Sequence, residues 1–334
     1  MRPSTARLRS ALRGRAWRAA VALLVVAGAF AGWWLSTGGT ASYPKGTVGF
    51  ATGDPDGVYD HYGQLLRSFL KTAMPGVGLR LDSSEGSVDN LERVVSGQDD
   101  FAIATADTVA SFNEPGKSKL RAIARLYDDY LQLVVPADSP VHRAADLRGL
   151  RVGIGQPKSG VNLVARQLLK AAGVDPATGI TPEPLDVGDA AQQLQDGKLD
   201  AFFWSGGLPT AALTDLSGKF PIRIVPLGDL TDALYQQGGD TSAYRAAVLP
   251  AGVYPKLQPA GQPVPTLAVP NLLVTRDDVD TGLVEGLTRA VIDSRDEIGV
   301  QVHAAQLVDL RTAVYTDPLP LHEGARRYYR SVKP

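Results

Sequence analysis

Residues 48–63 read VGFATGDPDGVYDHYG. A β-branched and aromatic run ends in a loop flanked by glycines, and a helical pattern follows. Strand, Gly-containing loop and helix together gather free backbone N–H groups at a helix N-terminus, a cradle suited to negative charge. Yet this loop carries two carboxylates of its own, Asp54 and Asp56. The apolar positions Val58, Tyr62, Leu65, Leu66, Phe69 and Ala73 fall at helical spacing. The loop therefore offers Thr52, Gly53, Asp54, Asp56, Gly57, Val58 and Tyr59 as contact residues. Gly57 and Val58 would act through the backbone and Tyr59 through its hydroxyl. The competing reading is a plain strand-to-helix turn with Asp54 or Asp56 as N-cap.

The pattern returns from Val152 in VGIGQPKSGVNLVARQLLKAAGV. Both segments open with Val-Gly and an apolar strand, pass a Pro-containing loop ending in Gly-Val, and enter a helix containing Gln-Leu-Leu. In the second helix Val161, Val164, Ala165, Leu168 and Leu169 form the stripe. A further echo joins VVSGQDDFAIATAD (94–107) to LQDGKLDAFFWSG (194–206). Each ends a helix at Gly97 or Gly197, the expected cap, and enters a strand after Asp100 or Asp200. The helix before Gly97 starts near Ser87, read as its N-cap, and buries Val88, Leu91, Val94 and Val95.

Two similar α/β units imply largely parallel sheets. In such sheets ligands bind outside the carboxyl ends of the strands. If the units face each other, all the echoed loops line one cleft. The expected organisation is a segment at 1–40, a first lobe from 46–135 plus 255–334, and a second lobe at 136–254. The crossings are read at 134–149 and, returning, at 253–279.

Further cleft candidates follow from the strand ends. They are Ser84 and Ser87, Thr105 and Asp107, then Ser159, Gly160 and Val161, and finally Trp204, Ser205, Gly206, Gly207 and Pro209. Each has a structural alternative: a helix cap for the serines, a turn for Asp107, core packing for Trp204.

Composition narrows the function. The 334 residues are 44% hydrophobic and 21% charged, enough to bury cores. There is no cysteine, which excludes disulfides, thiolate metal sites and a Cys nucleophile. Six of the 34 Lys and Arg lie in residues 1–18, leaving 28 against 35 Asp and Glu, so nothing suggests a nucleic-acid surface. The six arginines run directly into AAVALLVVAGAFAGWWL (19–35), an export signal or retained membrane anchor. Trp33 and Trp34 suit an outer interface, and the positive-inside rule sends the rest of the chain out of the cytoplasm. The histidines at 61, 142, 303 and 322 share no metal-ligand spacing. DPDGVYD does not complete a calcium loop, since Gly57 comes too early and Leu65 stands where the closing Glu belongs. FWSGG is not a nucleophile elbow, and GFATG is too sparse for a dinucleotide fingerprint. No enzyme, cofactor or metal is expected.

Six stretches in this order resemble a known family: TGDPDGVYDHYG, SSEGSVDNLERVVSGQDDFAIATAD, SGVNLVARQLL, DAFFWSGGLPT, VPTLAVPNLLV and PLHEGARRYY. The chain resembles the TAXI-type solute receptors of tripartite ATP-independent periplasmic (TRAP) transporters. The resemblance implies a two-lobed type II periplasmic-binding-protein fold, with a hinge and a small polar solute, amino-acid-like or carboxylate, clamped between the lobes. It also implies delivery to a TRAP-type permease. A membrane-tethered ligand sensor, or an enzyme on the same fold, remains the alternative. Family loops are typically Gly-rich where this one has Asp54, Pro55 and Asp56. The two aspartates could turn outward as caps, hold a cation, or bind the ammonium of a solute. We expect the last, with Lys158 or backbone N–H groups across the cleft taking a solute carboxylate.

Overall fold

The Val48–Ala51 run becomes part of the first strand of an eleven-stranded sheet. The computed structural model describes residues 43–332. The arginine-rich segment and the apolar stretch 19–35, with the export and anchoring expectations, lie outside the described residues. Among the described residues no helix is long and apolar enough to cross a membrane.

The strands are β1 (Gly46–Ala51), β2 (Val77–Asp82), β3 (Phe101–Thr105), β4 (Leu120–Pro136), β5 (Arg151–Gly153), β6 (Thr181–Glu183), β7 (Ala201–Gly206), β8 (Ile222–Val225), β9 (Arg245–Leu249), β10 (Leu257–Gln258) and β11 (Val264–Arg276). The helices are α1 (Val58–Ala73), α2 (Ser87–Ser96), α3 (Ala106–Ser111), α4 (Gly160–Ala171), α5 (Val187–Gln195), α6 (Ala211–Lys219), α7 (Thr231–Gln237), α8 (Thr281–Asp293), α9 (Arg295–Gly299) and α10 (Glu323–Val332). The main path of the sheet runs β2-β1-β3-β11-β4-β7-β5-β6.

The expected parallel pairing holds at the flanks, where β1 pairs β2 and β3, and β5 pairs β6 and β7. It fails in the middle. There β11 pairs antiparallel with β3, β4 and β9, and β4 pairs antiparallel with β7 and β8. The reason is that the crossings are themselves strands. β4, 17 residues long, ends where the first crossing was expected to begin, and β11 occupies the later part of the second. Pro270 lacks an N–H for a ladder, and it sits where the β11–β4 register shifts.

Apolar side chains collect on either side of these two strands. Phe50, Leu66, Phe101, Ile103, Tyr127, Leu287 and Tyr329 belong to one cluster, whose residues come from the beginning and end of the chain. Leu131, Leu133, Val152, Leu168, Phe203 and Val269 belong to another, drawn from its middle. α1 packs through Tyr62, Leu66 and Leu70, and α4 through Val164, Leu168 and Leu169. Gly97 closes α2 in the left-handed conformation at φ 80°, donating to Arg93 and Val94 carbonyls. One boundary shifts from expectation. The N-cap of α2 is Gly86, and Ser87 is its first helical residue, with its hydroxyl turned to accept from the Thr105 N–H at 3.2 Å.

Candidate functional site

β1, β3, β5 and β7 end at one place, and the residues after them enclose a cleft. The empty space of the cleft, counted out to its open mouth and including solvent there, is about 590 Å³. The structure brings to its wall Gly53, Asp54, Gly57, Val58 and Tyr59 from the first echoed loop. Ser87 and Thr105 join from the same flank of the sheet, and Ser159, Gly160, Val161, Trp204, Ser205 and Gly206 from the other.

Six expected residues do not line it, Pro209 among them. Thr52 is fully buried and donates to Asp60 at 3.2 Å. Ser84 donates to Asn90 at 2.5 Å. Asp107 is 1% exposed and accepts from the Tyr244 hydroxyl at 2.5 Å, a contact across 137 residues of chain. Gly207 faces Ala304, Val58 and Tyr127. Asp56 points away to the start of α5, where a Cβ on Gly188 would meet its Oδ2 at 3.0 Å. Lys158 is also placed otherwise than expected. Its ammonium pairs with Glu92 at 2.6 Å on the surface, so it is not turned to a solute carboxylate.

Other lining residues carry no local sequence signal: Glu85, Gly86, Asp129, Gly155, Gln156, Leu185 and Asp186. The most consequential is Asp129. It lies in β4 opposite Val269 of β11, and it is 2% exposed. A hydrogen-bonded chain crosses the cleft base through it. The Tyr59 hydroxyl donates to Asn271 Oδ1 at 2.5 Å. Asn271 Nδ2 donates to Asp129 Oδ1 at 2.6 Å. Ser205 donates to Asp129 Oδ2 at 3.4 Å. Burial pushes the Asp129 carboxyl up to about 7, aided by the nearby Asp128 and Asp107 carboxylates and opposed by Asn271 and Ser205. The Tyr59 phenol is raised too, first by burial and then by Asp129.

The two echoed loops end their turns differently. Ser159 caps α4, accepting from Asn162 N at 3.1 Å and donating to the Gln156 carbonyl at 2.7 Å. α1 has Gly57 as N-cap and no side-chain cap at all. Asp54 instead folds over its own loop, with Oδ1 accepting from Asp56 N at 2.8 Å. Its Oδ2 is buried and makes no well-formed hydrogen bond, although the Val187 N–H approaches the carboxyl. Burial is the largest cause of its raised pKa, and the Asp186 and Asp56 carboxylates add to it, while the Val187 N–H opposes the rise.

The two sides meet at the rim. The Lys158 carbonyl accepts from the Val88 and Asp89 N–H groups at 3.0 and 3.1 Å, satisfying the start of α2. Its N–H donates to Glu85 at 3.0 Å. Gly86, at φ +127°, lies so near that a Cβ there would stand 3.2 Å from Ser159 Cα.

This is the architecture of a periplasmic binding protein. The chain is similar in structure to an ancestral arginine-binding protein bound to arginine, at 16% identity and TM-score 0.50, covering 78% of this chain and 99% of that one. It is also similar to a putative L-cystine ABC transporter from Listeria monocytogenes, at 15% identity and TM-score 0.48, over 79% of this chain and 98% of that one. A third is the periplasmic aliphatic sulphonate binding protein of Escherichia coli, at 14% identity and TM-score 0.47, over 87% and 80%. At 16% identity the likeness to the arginine-binding protein is one of fold.

The sequence itself is more specific. Residues 50–332 match the model of the NMT1-like family, and the chain belongs to that family of periplasmic solute-binding proteins.

Proposed function

We propose that this protein is an exported receptor, not an enzyme. It clamps a small polar solute between two lobes, 46–135 with 255–334 and 136–254, and passes it to a membrane permease of the TRAP type. The observation that carries this reading is the cleft. Loops from four strand ends surround one cavity, and β4 supplies Asp129 to its wall, held by Asn271 of β11; these are the two longest strands among the described residues. Opening would bend those two strands and break the rim contacts of Lys158 with α2. The six ordered sequence motifs support the TRAP assignment, and the basic and apolar start of the chain supports export.

Native mass spectrometry of the full-length chain, purified in detergent, tests the receptor reading by its co-purified small molecules. A bound solute that also compacts the protein in small-angle scattering supports it. A protein that arrives empty, and whose melting temperature no solute of a broad metabolite library raises, overturns it. The transport partner is tested by uptake of the identified solute into cells. Dependence on an ion gradient supports a TRAP permease, whereas dependence on ATP points to an ABC-type import system.

A further inference from the structure

The charge of the cleft wall is one-sided. Asp54, Glu85, Asp129 and Asp186 line it, and among the described residues no Lys, Arg or His does. Two of these carboxylates are committed: Glu85 to the Lys158 N–H and Asp186 to the N-terminus of α5, through Asp189 N at 2.7 Å. The other two are not neutralised by any cation. Asp129 is held by an amide and a hydroxyl, and Asp54 only by backbone N–H groups, with one buried oxygen that makes no well-formed hydrogen bond. The apolar part of the lining is Val58, Val161, Leu185 and Trp204.

Burying a carboxylate without a counter-charge is costly, and natural proteins pair such groups. Bases that neighbour the site in the chain or at the rim are paired with other carboxylates. Arg125 and Arg245 both reach Asp128, the neighbour of Asp129 on the opposite face of β4. Lys158 reaches Glu92. A buried Asp at the base of a cavity, with the arginines one residue away drawn to the other face, leaves the counter-charge to come from outside.

We propose that the solute is an organic cation, an ammonium or amidinium head on a short apolar body, with its charge against Asp129 and its body against Trp204, Val161 and Val58. This rests on the receptor reading and narrows it. Dicarboxylates are excluded by the same geometry, since an anion in this cleft would meet like charge with no base to offset it.

The groups facing Asp129 make binding proton-linked. Around it stand the Asp107 and Asp128 carboxylates, the Tyr59 and Tyr127 phenols, Asn271 and Ser205. None of these is a cation, so the empty site favours the protonated carboxyl. An arriving cation reverses that preference and drives the proton off.

Three probes of one shape and different charge decide the matter on the full-length chain: phenethylamine, 2-phenylethanol and 3-phenylpropionate, by calorimetric titration. The amine should bind at least about tenfold more tightly than the alcohol, and the carboxylate more weakly than either. Titration of the amine at pH 6.5 in phosphate and in ACES, a zwitterionic buffer with a larger heat of ionisation, should differ in heat, reporting proton release. Asp129→Asn should weaken the amine at least about tenfold, abolish the buffer dependence and remove the preference for the amine over the alcohol. Preference for 3-phenylpropionate, or for succinate added as a fourth probe, overturns the cation while leaving the receptor standing. Binding of none of the four, with a co-purified anionic or neutral solute in the mass spectrum, does the same. An empty protein with no ligand of any kind overturns both readings.

Discussion

The loops at 52–59 and 155–161 share a sequence pattern and a place in the fold, yet they solve the same problem in opposite ways. Both must satisfy a helix N-terminus beside the cleft. The second does it internally, with Ser159 capping α4 and its hydroxyl proton spent on Gln156. The first leaves α1 without a side-chain cap and sends its carboxylates elsewhere, Asp54 over its own turn and Asp56 toward the start of α5. One loop is finished before any solute arrives, and the other is not. Repetition of a motif therefore fixes position, and the side chains decide which copy is structural and which is receptive.

The largest effect that tests this division comes from Asp129, at the base between the loops. Its carboxyl is raised to about 7 in the fold against an ordinary value near 3.8. The folded state thus holds the proton more tightly than the unfolded chain. The stability this contributes is complete below pH 4 and is lost as pH rises to 7. By linkage the loss is as much as about 4 kcal/mol. Asp129→Asn should be more stable than the parent at pH 8 and should lose less stability between pH 5 and pH 8, the remainder coming from the other carboxyls that burial raises, Asp54, Asp99 and Asp107, as read by denaturant midpoints at the two pH values. Parallel pH profiles for the two proteins would remove Asp129 as the cleft's uncompensated charge.

Gly155 probes how fixed the second loop is. It sits at φ +79°, and an added Cβ would stand 2.6 Å from the Val161 Cβ. Gly155→Ala should cost about 2–3 kcal/mol in chemical denaturation. A smaller cost, below about 0.5 kcal/mol, would show that this loop yields as readily as its acidic counterpart.

Ser159→Ala removes the cap that α1 never had, and should cost about 1 kcal/mol. Loss of the cap on this side alone, with solute affinity kept, is the outcome the contrast requires. The smallest effect is Lys158→Ala. Its ion pair with Glu92 is exposed, contributes little and diminishes in high salt. The backbone contacts of Lys158 survive the change, so solute dissociation should quicken only a few-fold in stopped flow. A hundredfold change would mean that the side chain, rather than the main chain, holds the rim shut.

Much of this was legible in the sequence because it is local. Strand-loop-helix echoes, helix stripes and the glycine at 97 all depend on neighbours within a few residues, and the lining residues from Gly53 to Tyr59, Ser159 to Val161 and Trp204 to Gly206 followed from them. What stayed hidden depends on pairing at a distance. Asp129 sits beside Asp128 in a run that reads as an ordinary strand, and only its meeting with Asn271, 142 residues on, brings it to the cleft base. Asp107 shows the converse. It ends a strand as a contact residue should, but Tyr244 covers it. Lys158 looked free to meet a solute because Glu92 is far away in the chain and near only across the rim.

The place of Trp204 carries an optical consequence. The chain has four tryptophans, and the other three stand at positions 17, 33 and 34. Beyond the first 42 residues, indole emission therefore comes from a single ring, which lines the cleft and donates to Thr210 at 3.0 Å. Anything that displaces water from the apolar wall, or brings a charge toward the acidic one, changes the surroundings of that ring. Once the leading segment is removed, the molecule carries its own dye at the one spot where occupancy is decided.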